Sequence, residues 1–594
     1  MCGIFGSISN GNIVESLIKG LKRLEYRGYD SSGIAIIGKN GLKVIKMEGR
    51  ISNLEQASVG ESAPIGIAHT RWSTHGKPTT SNSHPHISGR FALVHNGIIE
   101  NFSTLKKQLI AKGFTFQSET DTEVIVHLLH HIYTGNLLHT LQLVSKLLVG
   151  TFALAVIDEA EPDCIYATKH DSPLLIGISS NGGYLASDAV ALTDISDNIY
   201  TLNDDEYAIL QRDNVTFYDS SLTKIEKLDA SHTFTSTKID IEDTHSFMLK
   251  EMLEIPSAIE NTLAYYRSGL DKSFIAELSH IEEIIVIGCG TAYHAGVLAA
   301  ALIESTVRIP ARAEIASEFR YKNPLIKPRT MVLAISQSGE TADTIAAIKY
   351  AKSDRNTAIT CVITNVCSSS IVKHCDYIFP TIAGVEIAVA ATKSYNTQLA
   401  VIYIILDALA KTRENDINIH KTLPILKEQS SLVLGNFDKL CDIAHAFFTS
   451  NNVFFLGRNL DYATALEGSL KLKEISYIYS EGYPAGELKH GTLALIEEHS
   501  LVVVIATQHD VAQKTMNAMH EVKARGAKIL LVTQIEAYFA TDEADFIVQL
   551  PAVPDILMPI LSIIPLQLFA YFMALAKGND PDKPRNLAKS VTVE

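Results

Sequence analysis

The chain has 594 residues, which at roughly 150 residues per domain corresponds to about four structural units. Hydrophobic residues make up 46% of it and charged residues 20%, a globular composition that excludes disorder and fibrous repeats. Lys and Arg total 51 against 66 Asp and Glu, and this formal charge of −15, without a basic stripe, makes a nucleic-acid partner unexpected. The seven cysteines include no CxxC pair, which argues against a disulfide scaffold and favours a reducing compartment.

Neither a secretory signal nor a membrane span is expected from the sequence. The opening residues 1–6 have no basic region and no long apolar run. Residues 556–576 are apolar over about 20 positions, the length of a membrane span, but four residues interrupt the run: Pro559, Ser562, Pro565 and Gln567. We therefore predict a buried helix that starts near Pro565, and a soluble, cytoplasmic chain without a membrane partner.

The first part of the chain, to about residue 218, alternates short β-branched strands with helical stretches. Residues 33–37 and 91–94 are examples of such strands, and residues 101–112 have a helical pattern. This alternation is typical of an α+β domain. Residues 224–245 are rich in Asp, Ser and Thr and have little apolar periodicity, so they predict a connector.

Position two of the chain holds a cysteine, Cys2, directly after the initiator Met1. A side chain this small normally permits removal of the methionine, which leaves a thiol and a free α-amine on one residue. The ordinary pKa of such an amine, about 7.7 to 8.0, lets it accept the thiol proton near neutral pH. Cys2 is therefore a candidate nucleophile that carries its own base.

Further along this first part, several residues have the chemistry that such a nucleophile needs. Arg71 is a permanent cation beside Trp72, the only tryptophan of the chain. Asn96 and Gly97 offer an amide donor next to a backbone N–H that can approach a ligand closely, the two components of an oxyanion hole. Asp121 is interpreted first as a helix N-cap and second as a ligand.

Five segments, in the right order, resemble the glutaminase domain of class II, N-terminal-nucleophile amidotransferases: residues 2–6, 26–33, 71–72, 96–97 and 120–121. The resemblance covers about the first 218 residues. It implies that Cys2 attacks the side-chain amide of glutamine while its α-amine moves the proton, and that Asn96 and Gly97 stabilise the oxyanion. Ser73 stands where many relatives have alanine. The resemblance also implies four glutamine-binding residues: Arg71 for the α-carboxylate, Asp121 for the α-ammonium, and Thr74 and His75 along the pocket.

After the connector, β-branched runs alternate with helical patterns, which is typical of βα units around a parallel sheet. Four short strands recur in the same order at an offset of about 170 residues, too long for a solenoid period. The pairs are 284–288 with 453–457, 331–335 with 501–505, 359–364 with 529–533, and 376–378 with 545–547. This duplication predicts two similar α/β domains in tandem.

In the first repeat, the strand at 331–335 runs into the hydroxyl-rich segment 336–341 and then into a predicted helix over 341–352. Hydroxyls and backbone N–H groups at a helix N-terminus can hold a phosphate, although simple helix capping is an equal explanation. The segment lacks the Gly-Lys-Ser/Thr ending of a P-loop. Because Tyr293 occupies the third glycine position after residues 288–290, a dinucleotide site is not favoured either.

In the second repeat, a helix predicted over 462–479 places Glu467, Lys471 and Glu474 on one face. Taken alone, such a row favours a solvated ladder of salt bridges. The glycine-flanked His490 that follows is suited to acid–base chemistry near neutral pH. The last ten residues, 585–594, contain Lys589.

These segments resemble the paired sugar-isomerase (SIS) domains of the glutamine:fructose-6-phosphate aminotransferase family, and with the first part the resemblance spans nearly the whole chain. It implies that Lys589 forms a Schiff base with the C2 carbonyl, that Glu474 moves a proton between C1 and C2, and that His490 of a partner subunit opens the sugar ring. The sugar-phosphate-binding residues that it implies are Thr291, Ser336, Gln337, Ser338, Thr341, Glu467 and Lys471. Three positions depart from the family pattern: Ala292 and Ala391 replace serines, and Thr492 replaces a proline.

The implied fold is an α+β glutaminase domain of the Ntn-hydrolase type followed by two tandem parallel-sheet α/β domains. The predicted boundaries are 2–218 for the glutaminase domain, 219–268 for a linker and entry helix, 269–410 and 442–584 for the SIS domains, and 585–594 for a catalytic tail. The implied enzyme is an aminotransferase that converts D-fructose 6-phosphate and L-glutamine to D-glucosamine 6-phosphate and L-glutamate. This is the first step of hexosamine and UDP-N-acetylglucosamine synthesis.

The same resemblance implies that ammonia passes through an internal channel with Trp72 as its gate, that the enzyme is a homodimer, and that it uses no cofactor. Two other functions stay open. One is an amino-sugar-phosphate deaminase, or an amidotransferase with another sugar-phosphate acceptor. The other is a non-catalytic sugar-phosphate sensor, against which the presence of Lys589, Glu474 and His490 weighs. The histidine pairs 84/86 and 127/131 have metal-ligand spacing but no placed carboxylate or cysteine, so no metal site is expected.

Overall fold

The computed structural model describes residues 2–73, 75–231, 244, 246–353, 358–415 and 417–592. The chain divides into two compact units. The first unit comprises the residues up to 239 together with the terminal segment from 588, and the second unit comprises residues 240–587.

The first unit contains two seven-stranded sheets in which every strand pair is antiparallel. Its strands are β1 (Gly3–Ile8), β2 (Ser31–Gly38), β3 (Gly41–Glu48), β4 (Ile65–Arg71), β5 (His86–Ser88), β6 (Phe91–Ile99), β7 (Gly150–Asp158), β8 (Ile165–His170), β9 (Leu175–Ser179), β10 (Gly182–Ala186), β11 (Asn198–Thr201), β12 (Tyr207–Leu210), β13 (Val215–Tyr218) and β14 (Lys224–Ile225). The strand orders are β11-β9-β10-β1-β4-β2-β3 and β14-β13-β12-β8-β7-β6-β5. The α-helices are α1 (Val14–Leu24), α2 (Ile51–Ala57), α3 (Phe102–Ala111), α4 (Glu123–Ile132) and α5 (Leu137–Ser145).

The two sheets pack face to face, and helices cover both outer faces. Successive side chains of a strand point to opposite faces, so on β1 Ile4 lies in the core between the sheets and Phe5 in the core under α1 and α2. On β6, Val94 lies between the sheets and Leu93 packs against α3, α4 and α5. The first unit is therefore a four-layer α/β/β/α sandwich.

The structure describes only part of the predicted connector over 224–245. Lys224 and Ile225 form β14 and pair with β13, so the sheet extends into the predicted connector. Residues 232–243 and 245 lie outside the described residues. The helix predicted over 101–112 is confirmed as α3.

The second unit contains two parallel five-stranded sheets with helices around them. Its strands are β15 (Glu283–Gly288), β16 (Ala311–Ile315), β17 (Thr330–Ile335), β18 (Ile359–Thr364), β19 (Tyr377–Pro380), β20 (Asn452–Gly457), β21 (Tyr479–Pro484), β22 (Leu501–Ile505), β23 (Lys528–Thr533) and β24 (Phe546–Gln549). Its α-helices are α6 (Phe247–Leu253), α7 (Ile255–Tyr265), α8 (Lys272–Leu278), α9 (Thr291–Thr306), α10 (Ala316–Phe319), α11 (Ala342–Ala351), α12 (Lys393–Lys411), α13 (Ile419–Thr422), α14 (Leu426–Leu434), α15 (Phe437–Phe447), α16 (Leu460–Ser476), α17 (His509–Lys523) and α18 (Met558–Ala576).

The predicted duplication is confirmed by the strand orders, β16-β15-β17-β18-β19 and β21-β20-β22-β23-β24, which are the same permutation. The fold class is confirmed with it. The sequence comparison missed the fifth pair of strands, β16 and β21. These are the edge strands next to β15 and β20, and β16 is only half-buried, so it has no apolar run to recognise.

The apolar segment near the end of the chain is a core helix, but the prediction that it starts near Pro565 is wrong. Helix α18 begins at Met558 and contains Pro565 within it. In the part of the chain that the structure describes, the stretch Asp555–Ala576 is long and apolar enough to cross a membrane. Its most apolar 18-residue window has a mean hydropathy of 2.0 and is 94% buried. It packs along α16 in the core of the second unit.

A buried carboxylate ties the start of α16 to the end of β22. Asp461 is fully buried and accepts hydrogen bonds from the Thr507 backbone N–H, at 2.8 Å, and from the Thr507 hydroxyl. Burial raises the pKa of Asp461 to about 7, and the bonds from Thr507 oppose that rise. Between pH of about 4 and 7, the native state therefore retains a proton on the Asp461 side chain. The unfolded chain, in which the pKa of Asp461 has its ordinary value of about 3.9, has lost that proton.

This buried group predicts a pH-dependent stability. Between pH of about 4 and 7 the native state binds more protons at Asp461 than the unfolded state does, so the free energy of unfolding falls as pH rises, by up to about 4 kcal/mol. Asp461→Asn, which does not titrate, is expected to flatten this decline. Thermal unfolding midpoints measured from pH 4.5 to 8 test it, with Asp510→Asn at an exposed site on α17 as the control. Equal slopes for wild type and Asp461→Asn would contradict the prediction.

Candidate active sites

The nucleophile candidate Cys2 lies at the start of β1, and the pairing of β1 with β4 determines its neighbours. Gly3 is opposite Thr70, so Cys2 lies beside the end of β4 and the residue after it, Trp72. The Cys2 Sγ is 3.3 Å from the Trp72 backbone N, which donates to it, and 3.5 Å from the Trp72 carbonyl O. Burial of the sulfur raises the pKa of the Cys2 thiol, whereas the Trp72 N–H and the charge of Arg71 lower it.

The two proposed oxyanion-hole residues lie at the end of β6. The Asn96 Nδ2 donates a hydrogen bond of 3.0 Å to the Cys2 carbonyl O, so its amide faces the nucleophile's own residue. Gly97 has φ of 134°, and a Cβ there would lie 2.0 Å from the Thr151 carbonyl O on β7. Only glycine fits at position 97.

Arg71 is buried and holds the loop that follows it. Its guanidinium donates to the Lys77 and Gly76 carbonyls, both at 3.2 Å, and to the His75 carbonyl. Burial lowers the pKa of Arg71, and Cys2, Asp30 and Asp121 act in the opposite direction. Three of the five N–H donors of this side chain are thus used by loop carbonyls.

The remaining predicted glutamine-site residues are placed as follows. Asp121 is buried and its Oδ2 accepts a 2.8 Å hydrogen bond from the Ile99 N–H. Its interpretation as a helix N-cap is wrong, because Thr122 holds the position before α4. The ring of His75 lies 5.3 Å from that of Phe102, and the Trp72 ring meets Tyr29 edge-on at 5.9 Å. Thr74 lies outside the described residues.

Two residues near Cys2 were not singled out from the sequence. Asp30 accepts a 2.9 Å hydrogen bond from the Ser73 N–H, and His69 Nε2 lies 3.1 Å from Asn96 Oδ1. The available signal was strand alternation: His69 and Arg71 are two positions apart on β4, on the same face as the core residue Ile67. That face points into the layer between the two sheets.

In the second unit, the hydroxyl-rich segment after β17 folds back on itself. The Ser336 Oγ accepts from the Gly339 N–H at 3.1 Å and lies 3.3 Å from the Thr341 hydroxyl, and Ser338 Oγ accepts from the Glu340 N–H at 3.2 Å. The Gln337 carbonyl accepts from the Asn365 N–H at 3.1 Å. Thr341 precedes α11 but its side chain makes no cap hydrogen bond, so helix capping does not account for its hydroxyl.

The row of charges on α16 is not a solvated ladder, and that interpretation is wrong. Glu467 and Lys471 are both 0% exposed. The Lys471 Nζ lies 2.6 Å from Glu474 Oε2, 3.4 Å from Glu467 Oε1 and 3.0 Å from the hydroxyl of Thr291 on α9. The Thr291 hydroxyl donates to Glu467 Oε1 at 2.9 Å, and His294 Nδ1 lies 2.8 Å from Glu467 Oε2.

The electrostatics of this cluster follow from its burial. Burial raises the pKa of the Glu474 carboxyl, and the Lys471 ammonium opposes that rise. Burial also acts to lower the pKa of Lys471, but the two carboxylates outweigh it and raise that pKa above its ordinary value. The Lys471 ammonium therefore stays charged, and the Glu474 carboxyl binds a proton more tightly than an exposed glutamate does.

The last two predicted catalytic residues are not brought together within one unit. His490 is exposed, at the end of a short 3-10 helix, Glu487–His490, in the second unit. Lys589 belongs to the terminal segment of the first unit. In the described part of the chain, no group of three or more His, Cys, Asp or Glu side chains is arranged to hold a metal ion.

Comparison with known proteins gives the kind of domain to which each part of the chain is similar. A family model for a glutamine amidotransferase domain matches residues 69–194, and the SIS domain model matches residues 277–408 and 446–577. The fold and the two family models thus define a glutamine amidotransferase domain joined to two SIS domains.

Full-length relatives narrow the class to one family. The chain is 45% identical to a glutamine–fructose-6-phosphate aminotransferase (isomerizing) of Caldanaerobacter subterraneus subsp. tengcongensis and 43% identical to one of Clostridium acetobutylicum, with 100% of both chains covered in each case. The solved C-terminal domain of a glucosamine-fructose-6-phosphate aminotransferase from Francisella tularensis matches with a TM-score of 0.55 and 36% identity, over 58% of this chain and 100% of that one. The chain belongs to the glutamine–fructose-6-phosphate aminotransferase (isomerizing) family, and the resemblance stated from its sequence is confirmed.

The buried cluster on α16 predicts a large stability effect for its lysine. Lys471→Met leaves Glu467 and Glu474 without their shared cation, and breaking a buried ion pair from one side costs about 3 to 5 kcal/mol of unfolding free energy. Lys473→Met, two positions along at an exposed site of the same helix, is the matched control and is expected to stay within about 0.5 kcal/mol of wild type.

Urea unfolding followed by far-UV circular dichroism measures the free energy of unfolding of both variants. If Lys471→Met and Lys473→Met unfold at the same midpoint, the charged cluster does not hold α16 in place.

Proposed function

We propose that this chain converts D-fructose 6-phosphate and L-glutamine to D-glucosamine 6-phosphate and L-glutamate, the first step of hexosamine synthesis. The observation that carries the proposal is that one chain contains two sites: Cys2, whose carbonyl accepts a hydrogen bond from the Asn96 amide, and a buried Glu-Lys-Glu cluster. Each is a site that one half of the reaction requires. Relatives named for this reaction match the chain along its full length.

The glutaminase half starts at Cys2. Its sulfur attacks the side-chain amide carbon of glutamine, and the carbonyl electrons move to oxygen, where Asn96 Nδ2 and the Gly97 N–H stabilise the oxyanion. The C–N bond then breaks, ammonia leaves with a proton supplied through the α-amine of Cys2, and water hydrolyses the thioester to glutamate. Asp121 binds the substrate ammonium and the N–H donors of Arg71 not used by the loop bind its carboxylate, with Thr74 and His75 along the pocket.

The sugar half uses the second unit and the terminal segment. The hydroxyls of Ser336, Ser338 and Thr341 hold the phosphate, helped by Gln337, because their loop opens onto the N-terminus of α11. Lys589 forms an imine with the C2 carbonyl and loses water.

The nitrogen then enters at C2 of the sugar. Ammonia displaces the lysine from the imine. Glu474 then moves a proton from C1 to C2 while the C1 hydroxyl proton passes to the nitrogen, which gives an amine at C2 and an aldehyde at C1. The raised pKa of Glu474 suits a group that must take up and release a proton. Thr291, Glu467 and Lys471 orient the sugar beside it.

The assembly follows from the chemistry of ammonia and from the position of one histidine. Ammonia in water at pH 7 is mostly protonated and is not a nucleophile, so it passes within the protein, with Trp72 as the gate. The family resemblance, together with the exposure of His490, supports a homodimer in which His490 of the partner subunit opens the sugar ring. We place it in the cytoplasm, with domains at 2–218, 269–410 and 442–584, a linker and entry helix at 219–268 and a catalytic tail at 585–594.

Replacement of the nucleophile tests the proposal. Cys2→Ala removes the sulfur that releases ammonia, so glutamine-dependent formation of glucosamine 6-phosphate is expected to fall at least about 10³-fold, while formation from added ammonium salts at pH 8 stays within about 2-fold. Cys164→Ala, at a half-buried cysteine of the same unit, is the control and keeps both activities.

Two results would overturn the proposal. One is glutamine-dependent activity that is indifferent to Cys2→Ala, which favours a deaminase of amino sugar phosphates. The other is glutamine hydrolysis without any aminated hexose from fructose 6-phosphate, which favours another sugar-phosphate acceptor.

A further inference from the structure

Four buried histidines of the first unit contact one another through their rings near the proposed oxyanion hole. They are 0 to 4% exposed: His69, His84, His86 and His95. His69 faces the layer between the two sheets, whereas His95 and His86 lie on the opposite face of their sheet. The rings of His69 and His84 stack at 4.0 Å and 22°, His86 meets His84 edge-on at 4.9 Å, and His95 is parallel to His84 at 6.5 Å. None of them has a role in the proposed reaction.

His69 is the member of this group that contacts a proposed catalytic residue. Its Nε2 lies 3.0 Å from the His95 carbonyl O and 3.1 Å from Asn96 Oδ1, and both of these atoms are acceptors. The Nε2 must therefore carry the proton and donate to both. The other ring nitrogen, Nδ1, is buried and has no hydrogen-bond partner among the described residues, as expected for the unprotonated side of this tautomer.

The two ends of the Asn96 amide have nearly the same shape, so only hydrogen bonding determines which end faces Cys2. In the observed orientation Oδ1 accepts from His69 and Nδ2 donates to the Cys2 carbonyl at 3.0 Å. Reversal of the amide would place an NH₂ group against the Nε2–H of His69 and an oxygen against a carbonyl oxygen. An oxyanion facing that oxygen would be repelled instead of stabilised.

The structure assigns His69 as a positioning residue for Asn96: its Nε2–H bond to Oδ1 keeps the Nδ2 donor facing the oxyanion that forms at Cys2. The assignment rests on the proposed function of Cys2 and Asn96. The ring itself is held by stacking on His84, and its fixed position on β4 makes the donor rigid. Burial lowers the pKa of His69 to about 3, so the ring stays neutral and the tautomer does not change near neutral pH.

The test compares variants at position 69 that keep or remove a donor at the Nε2 position. His69→Gln places an amide NH₂ near that position, His69→Asn places one near Nδ1, and His69→Phe keeps only the ring. Steady-state glutamate release is expected to show kcat lowered about 10- to 100-fold in His69→Phe and His69→Asn, largely restored in His69→Gln, with KM for glutamine within about 3-fold of wild type. His139→Phe, at an exposed site of the first unit, is the control.

A double-mutant cycle then separates a positioning role from a structural one. Asn96→Ala alone is expected to lower kcat about 10²- to 10³-fold, and adding His69→Phe to it is expected to cost nothing further, because His69 acts through the Asn96 amide. Alkylation of Cys2 by iodoacetamide forms no oxyanion, so its rate is expected to be the same in wild type and His69→Phe. Far-UV circular dichroism and thermal unfolding report that the variants are folded, and if His69→Phe fails that check the Gln and Asn pair gives the same comparison.

Three results would overturn the assignment: equal kcat losses from His69→Phe with and without Asn96, a raised KM with unchanged kcat, or equal losses in His69→Gln and His69→Asn. If Asn96→Ala keeps full turnover, the oxyanion role of Asn96 fails and the role of His69 fails with it. That outcome differs from failure of the proposed function as a whole, in which Cys2→Ala would keep glutamine-dependent activity.

Discussion

The second unit depends on an ammonium group that has no access to water. Lys471 is fully buried, and such a charge persists only because Glu467, Glu474 and Thr291 surround it with carboxylate and hydroxyl oxygens. Thr291 begins α9 of the first repeat, whereas Lys471 belongs to α16 of the second. The cluster therefore joins the two repeats by charge and hydrogen bonding, and it places Glu474 at their junction.

Four buried histidines of the first unit, in contrast, are kept neutral. Burial lowers the pKa values of His69, His84, His86 and His95, so these four imidazoles pack around one another without mutual repulsion. A neutral ring has one donor and one acceptor, and this makes it a directional partner for a neighbouring amide. A protonated ring would donate from both nitrogens and would have no acceptor side.

The sequence predicted the elements whose signals are local. The duplication was visible because three buried strands in each repeat are apolar runs and a fourth, half-buried pair, β19 and β24, follows in the same order. The nucleophile was visible because Cys2 follows Met1. Strands β16 and β21 were missed because charged or turn-forming residues interrupt both of them. The start of α18 was placed seven residues late because proline is an unfavourable helix residue, and the buried position of Pro565 inside the helix is a tertiary effect.

The predictions about the sites were limited by burial, which a sequence pattern does not give. The spacing of Glu467, Lys471 and Glu474 is the same for a solvated ladder and for a dry cluster, and only the packing of α9 against α16 separates the two. The same holds for His69. Its two-residue spacing from Arg71 on β4 gives the face of the strand, but the partner on that face, Asn96, comes from β6 in the other sheet. A sequence pattern therefore does not predict functional groups of this enzyme that act through a second residue in another element.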